Sequence, residues 1–140
     1  GVLNGYVLNG YAARKLGLPP TGNAGGVHNL TAAPGALSLQ GLLAQMDTGL
    51  LVTDLMGFGV NIVSGDYSRG ASGFWVENGE VVAPIENMRF DDSIYNFFGD
   101  NLESITDKTH LHPTVQTYEG RELGGVSCPG ILLKSFELTL

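Results

Sequence analysis

The sequence predicts an α+β domain of mostly antiparallel β-strands, barrel- or sandwich-like, with one or two short helices packed on the sheet. β-Branched and aromatic residues form runs too short for ordinary helices, at 50–55, 60–63 and 74–76. Asn78-Gly79 lies between two such runs and predicts a hairpin, because a two-residue type I′ turn needs positive φ at both positions. After the N-cap residue Ser38, apolar residues recur at the spacing of a helix: Leu39, Leu42, Leu43 and Met46. The predicted helix ends at Gly49.

The N-terminal stretch is predicted to contain a strand, a short helix and a loop. Residues 1–8, GVLNGYVL, have strand composition, and 11–16 form a helix that Gly17 and two prolines end. Residues 21–26, TGNAGG, form a glycine-rich loop, but no Lys-Ser/Thr pair follows, so the sequence gives little support for a nucleotide site. His28 is interpreted as a hydrogen-bonded loop residue.

Two further elements are predicted after the hairpin. The second hairpin strand weakens at Pro84 and resumes at 88–90. Asp91 or Asp92 then caps a short apolar helix, SIYNFF, which Gly99 ends. The last nine residues, LLKSFELTL, are predicted as one half-buried strand with one face formed by Leu132, Phe136, Leu138 and Leu140.

The segment 103–125 is predicted to be the least structured part of the chain, and it carries two of the three histidines. His110 and His112 would lie on one face of a strand, a spacing that zinc can use, but a zinc site needs at least three protein ligands. His28 and Cys128 are the residues that would have to complete it. Cys128 is better interpreted as a small buried hydrophobe, because no cation flanks it to stabilise a thiolate.

Composition excludes several classes of function. The chain has 140 residues and a net charge of −7 with seven Lys and Arg, which argues against nucleic-acid binding and against a membrane surface. It has no apolar run near 18 residues, and its single cysteine excludes an internal disulfide framework. We therefore expect a cytoplasmic protein. Residues 1–140 are predicted to be one domain cut from a longer protein, since the sequence lacks an initiator Met.

The glycine-rich segment 65–73 is the candidate binding site. Two interpretations stay open: a twisted β-core with bulges and tight turns, or a backbone that an extended ligand approaches closely. No His or Cys lies nearby in sequence to activate a nucleophile, so no catalytic residue is predicted. We expect peptide to add as a strand to an exposed edge here. The candidate substrate- or partner-binding residues are Asn61, Gly65, Asp66, Tyr67, Ser68, Arg69, Gly70 and Gly73.

Three stretches carry a resemblance to a known family: YAARKLGLPPTGNAGGVHN, TGLLVTDLMGFGVN and SGDYSRGASGFWVENGEVVAPIE. Together they resemble the C-terminal domain of the TldD/PmbA family, historically called modulators of DNA gyrase and now regarded as metalloprotease subunits. The third stretch is similar to the PmbA branch, also called TldE. The resemblance runs almost end to end and departs around 108–121.

The resemblance implies a cytosolic complex of a TldD-like and a PmbA-like subunit, or a homodimer, that degrades unfolded peptides and matures peptide precursors. In the TldD branch a His-Glu-x-x-x-His helix carries the metal, with a Cys of the C-terminal domain as a further ligand. This chain contains no His-Glu pair. Zinc is therefore expected only in a TldD-like partner. The alternative function is a β-rich peptide- or protein-binding structural domain with no proteolytic role.

Overall fold

The structure is a computed structural model that describes residues 2–22, 32–113, 117–118, 121–122 and 125–139. Its contacts group into two compact units, residues 1–32 and 33–140. The prediction of one domain over 1–140 stays a prediction. Within the described residues every pairing between named strands is antiparallel and the helices are short, which confirms the α+β class. As far as the structure describes it, the main sheet is open, with two edge strands, and does not close into a barrel.

The first unit contains the predicted short helix, α1 (Gly10–Leu16). The side chain of Asn9 caps its start by accepting a hydrogen bond from the Ala12 amide at 2.8 Å. Gly17 ends it in the left-handed conformation, φ 66°. Ala13 is the buried residue of this helix. The helix and its glycine stop are therefore confirmed. Residues 23–31, which include His28, lie outside the described part of the chain.

The predicted strand at 1–8 is wrong for residues 2–8, which form no regular secondary structure. A strand needs a continuous hydrogen-bonding partner, and among the described residues of this unit a backbone partner reaches Leu8 alone of residues 2–8. The Leu8 amide donates to Thr21 Oγ1 at 2.9 Å, and the Thr21 amide donates to the Leu8 carbonyl at 3.1 Å. The composition of residues 1–8 is typical of a strand, but composition alone does not predict whether a partner strand lies beside it.

The second unit begins with the predicted helix, α2 (Leu39–Met46). Ser38 Oγ accepts a hydrogen bond from the Gly41 amide at 3.1 Å, and Leu42 and Leu43 are buried, as predicted. The helix ends at Asp47, φ 60°, rather than at Gly49. The Asp47 amide donates to the Leu43 carbonyl and completes the last turn, and Asp is one of the residues that tolerate positive φ.

The hairpin at Asn78-Gly79 is confirmed and joins β2 (Asp66–Glu77) to β3 (Glu80–Ser93). Both turn residues have positive φ, 53° and 75°. The turn packs on α2: the Gly79 amide donates to the Asp47 carbonyl at 2.8 Å, and a Cβ on Gly79 would lie 3.1 Å from Ala44 Cα. The hairpin therefore depends on glycine for both conformation and space.

The main sheet has the order β1-β2-β3-β8, with β1 (Gly49–Val60) and β8 (Glu137–Thr139) at its edges. The predicted separate strand at 60–63 is wrong, because Ile62 and Val63 lie in the turn between β1 and β2. β3 runs without a break through Pro84. Among the described residues no strand pairs with the other side of β3 at that point, a position where proline is tolerated.

The core lies on one face of this sheet, under a short helix, α3 (Ile94–Phe97). Phe90 is its centre: its ring centroid lies 5.3 Å from that of Phe97 and 4.7 Å from that of Phe136. Ser93 caps α3 by accepting from the Tyr95 amide at 3.2 Å. The prediction that Asp91 or Asp92 caps it is wrong, because Ser93 is the residue directly before the helix and its side chain accepts from the first turn. The helix ends at Phe98, just before Gly99.

The segment predicted to be the least structured contains most of the remaining strands. β4 (Leu102–Pro113) pairs with β7 (Gly125–Leu133), and the two-residue strands β5 (Thr117–Tyr118) and β6 (Arg121–Glu122) lie between them in sequence. That prediction is therefore wrong for 103–113. Thr106 is 2% exposed, and its Oγ1 accepts from the Gly130 amide at 2.8 Å, so the partner that stabilises β4 is distant in sequence.

The C-terminal stretch is not the single strand that was predicted. Leu132 ends up in β7 and Leu138 in β8, with Phe136 between the two strands. Asn101 binds the connection between β7 and β8. Its carbonyl accepts from the Lys134 amide at 3.0 Å, and its side-chain oxygen accepts from the Ser135 amide at 3.1 Å. Leu140 lies outside the described residues.

Candidate functional site

The candidate segment lies in the interior of the main sheet. Residues 66–73 belong to β2, which pairs with β1 on one side and with β3 on the other. Its backbone hydrogen-bonding groups are therefore already used. The expectation of an exposed edge at 65–73 is wrong, and no peptide strand can be added to β2. Within this sheet, as far as the structure describes it, the long strand at an edge is β1, next to β2.

Asn61 organises the turn that connects β1 to β2. Its side-chain oxygen accepts from the amides of Val63, at 2.9 Å, and Ser64, at 3.2 Å. Its own carbonyl accepts from the Gly65 amide at 2.8 Å. Asn61 thus has a local structural role of the kind common for Asn in turns. The turn leaves Ile62 and Val63 80% and 86% exposed.

Gly65 is required where this turn meets α3. Its φ is 86°, and a Cβ at this position would lie 2.3 Å from Tyr95 Cε2. Its carbonyl accepts from the Ile94 amide at 2.8 Å, directly after β3. The glycine is therefore explained by packing between two parts of the same chain.

Asp66 and Arg69 do not pair with each other. The Asp66 carboxylate accepts from Ser64 Oγ at 2.6 Å. Arg69 instead donates from Nη2 to the carbonyl of Gly57 on β1. Arg69 Nε is buried and has no hydrogen-bond partner among the described residues, which is costly for a charged donor. The guanidinium therefore contacts the open-edge strand while one of its donors stays unsatisfied.

Ser68 lies opposite Asp91 of β3 and belongs to a small polar group on the sheet. The hydrogen bond from Ser68 is the largest cause that lowers the pKa of Asp91 below its usual value; burial opposes it, and Arg89 adds to it. Arg89 Nε lies 2.8 Å from Asp91 Oδ2. An exposed ion pair of this kind contributes little to stability.

Tyr67 points to the core side of the sheet. Its ring centroid lies 5.7 Å from that of Phe90 and 5.1 Å from that of Phe97, in edge-to-face geometry. The side chain is partly buried and packs against the core cluster. The structure therefore gives Tyr67 a packing contact on the core side of the sheet.

The two remaining candidate glycines differ. A Cβ on Gly73 would lie 2.0 Å from the Leu51 carbonyl oxygen, so the close approach that this glycine permits is that of β1. A Cβ on Gly70 would lie 3.5 Å from Met56 Cβ, an ordinary contact. Of the two interpretations of the glycine-rich segment, the twisted β-core with bulges and tight turns explains why residue 73 is a glycine. The substrate- or partner-binding role of the eight candidate residues stays a prediction.

The comparison with known families decides the identity of the domain. The family model described as PmbA/TldA metallopeptidase C-terminal domain matches residues 1–140. The chain belongs to this family. The resemblance drawn from its sequence stretches is thereby confirmed.

Curated relatives carry the PmbA name. The Metalloprotease PmbA homolog of Haemophilus influenzae is 47% identical over 118 residues, which cover 84% of this chain and 26% of the relative. Metalloprotease PmbA of Escherichia coli O157:H7 is 54% identical over 88 residues, covering 63% and 20%. The chain thus spans about a quarter of the length of the curated PmbA relatives it matches.

Solved structures show the same fold. A proposed modulator of a DNA gyrase from Thermotoga maritima MSB8 matches with a TM-score of 0.79 and 27% identity, covering 99% of this chain and 31% of that one. Another, from Bacteroides thetaiotaomicron VPI-5482, matches with a TM-score of 0.66 and 29% identity, covering 94% and 28%. The PmbA/TldA domain fold therefore recurs in longer chains from distant bacteria.

Two histidines and the cysteine of this PmbA/TldA domain lie on the paired strands β4 and β7. His110 of β4 lies directly opposite Cys128 of β7, a free, half-buried thiol. His112 is in β4 as well, opposite Val126. No group of three or more potential metal ligands occurs among the residues the structure describes. Three protein ligands are the minimum for zinc, so this pair alone does not form a zinc site.

Sequence reasoning missed the open edge of β1 and the residues around its bulge. Phe58 is fully exposed and Met56 is 51% exposed on this strand. The alternation of glycine with large apolar residues in MGFGV was the local signal, but which strand forms an edge depends on pairing that one sequence does not show.

Within the described range, no helix combines the length and apolar character needed to cross a bilayer.

Proposed function

We propose that this chain is the non-catalytic C-terminal domain of a PmbA-like subunit in a cytoplasmic metallopeptidase complex that acts on unfolded peptides and peptide precursors. The observation that carries the proposal is the match of the PmbA/TldA family model to all 140 residues. No His-Glu pair occurs in the sequence, so the metal-binding helix belongs to a TldD-like partner subunit or to another part of the assembly. Zinc is expected there and not in this domain.

The open edge of β1 supports a role in holding peptide. A complex that accepts many sequences must recognise the main chain, which is common to all of them, and strand addition at a sheet edge does so. β1 is 12 residues long and, in the described chain, is paired on one side only. Arg69 reaches it from β2 through the Gly57 carbonyl. In this proposal Arg69 and its neighbours shape the edge, and peptide hydrogen-bonds to β1 around the bulge, at residues 56–60.

The test is co-purification and activity of the full-length protein. Under the proposal, the full-length chain co-purifies with a subunit that carries His-Glu-x-x-x-His, and the pair cleaves unfolded peptide at least about tenfold faster than either subunit alone. The alternative, a β-rich binding domain without proteolytic role, predicts peptide binding with no gain in cleavage. A full-length chain that neither assembles with such a subunit nor changes its activity contradicts the proposal.

A further inference from the structure

A concave apolar surface lies beside the main sheet, with a volume of about 860 Å³. Most of its lining residues come from α2, β1 and β7. We call it the apolar concavity. Of the residues that line it, only Asp54 and Lys134 are charged. Such a surface favours an uncharged, apolar occupant, because burying an unpaired charge is costly.

The apolar concavity is open to solvent. Leu39 of α2, Ile131 of β7 and Leu138 of β8 line it and remain 45%, 43% and 38% exposed. Exposed leucines are unremarkable singly, but a contiguous apolar depression of this size on a monomer marks an interaction surface. Filling it would remove these side chains from water.

The β1 wall of the concavity is also an unprotected sheet edge. Natural proteins block long edge strands with lysine, proline or inward-pointing charge. β1, GLLVTDLMGFGV, contains no lysine and no proline, and Asp54 is its one charged residue. The part of β1 that lines the concavity, residues 49–55, is therefore expected to be covered in the complete protein, whereas the bulge at Gly57 lies outside the concavity.

We propose that an apolar segment of the same polypeptide, upstream of residue 1, packs into the apolar concavity. The domain spans about a quarter of its PmbA relatives, and the matching family model describes a C-terminal domain, so most of such a chain precedes it. A segment tethered in the same chain binds at a high effective concentration and stays bound. A substrate peptide of varied sequence must instead be released, which a large apolar contact surface disfavours.

The occupant is identified by photo-crosslinking in the full-length protein. A benzophenone amino acid replaces Ile131 inside the concavity or, as the control, Val82 of β3, which is 57% exposed and lies outside it. The expected result is a crosslink from position 131 to a residue upstream of residue 1, without a change in chain mass on a denaturing gel, and at least tenfold weaker from position 82. A product of doubled mass, a crosslink that requires added peptide, or equal yields from both positions overturns the proposal.

A second measurement does not require a bulky probe. In the folded full-length protein, Ile131→Cys is expected to react with a maleimide at least tenfold more slowly than Val82→Cys, measured by mass spectrometry of the peptide containing each position. The two native side chains are similarly exposed in the domain itself, so equal rates mean that nothing covers the concavity and the proposal is wrong.

Discussion

Arg69 of β2 donates a hydrogen bond to the carbonyl of Gly57 on β1. Gly57 has φ 91° and lies at the second register irregularity of β1, between Met56 and Gly59. The contact therefore fixes the open-edge strand at the bulge that carries the fully exposed Phe58. Arg69 is better placed to shape this edge than to pair with Asp66.

Arg69→Ala in the full-length protein is expected to reduce peptide turnover by the assembled complex about three- to tenfold, mainly through a higher KM. The melting temperature is expected to hold, because the lost hydrogen bond, worth about 0.5–1.5 kcal/mol, is offset by removal of a buried, unsatisfied Nε. Steady-state kinetics and thermal unfolding measure the two effects.

The matched control for Arg69 is Arg89→Ala on the neighbouring strand. Arg89 forms an exposed ion pair with Asp91 and does not contact β1 in the described structure, so turnover should not change. Arg69→Lys retains a donor that can reach Gly57 and should recover part of the activity. If Arg69→Ala lowers the melting temperature and leaves turnover per folded molecule unchanged, the residue is structural only.

Asp91 is expected to make stability depend on pH in the acid range. Its pKa in the folded state is below the ordinary value of 3.8, chiefly because Ser68 hydrogen-bonds the carboxylate. A lowered folded pKa contributes stability that is fully present above the unfolded pKa and is lost as pH falls through the folded pKa. Urea unfolding should therefore show the difference between wild type and Asp91→Asn shrinking as the pH falls below 3.8.

Ser68→Ala tests the cause of this shift. Loss of the hydroxyl removes the largest interaction that favours the charged form, so the pKa of Asp91 should rise toward 3.8, as followed by NMR titration of the carboxylate. An Asp91 pKa that does not change in Ser68→Ala would instead assign the shift to Arg89.

Local signals predicted the elements whose causes are local. Asn78-Gly79, the Ser38 cap and the Gly17 stop each follow from the conformation of one or two residues, and the structure confirms all three. The cap of α3 was assigned to Asp91 or Asp92 rather than to Ser93, because three adjacent residues can all cap a helix and the end of β3 decides between them.

Features that depend on distant pairing were not predictable in this way. β4 was missed because Thr106 is stabilised by Gly130, 24 residues away. The site segment was placed at an exposed edge, whereas β2 is central because β3 pairs with its other side. One sequence shows which stretches favour strands, but the order of strands in the sheet decides which backbone is free to bind.

The isolated 140-residue chain is expected to hydrolyse no peptide. Its sequence contains no metal-binding His-Glu pair, and no His or Cys lies near Ser68 in sequence to activate it. Casein and unfolded peptides should remain intact on gels and by mass spectrometry, with and without added zinc. Cleavage that a chelator abolishes would show a metal site within this domain, with His110 and Cys128 the first residues to substitute.

Gly79→Val is expected to destabilise the second unit by roughly 1–3 kcal/mol, since a β-branched residue is forced to positive φ. The native φ is 75°, and the added Cβ would also lie 3.1 Å from Ala44 Cα, so α2 would have to shift. Gly5→Val is the matched control, because Gly5 does not have positive φ and a Cβ there meets nothing within 4 Å. Chemical denaturation should separate the two variants; equal stability would mean that neither the turn conformation nor its contact with α2 limits the fold.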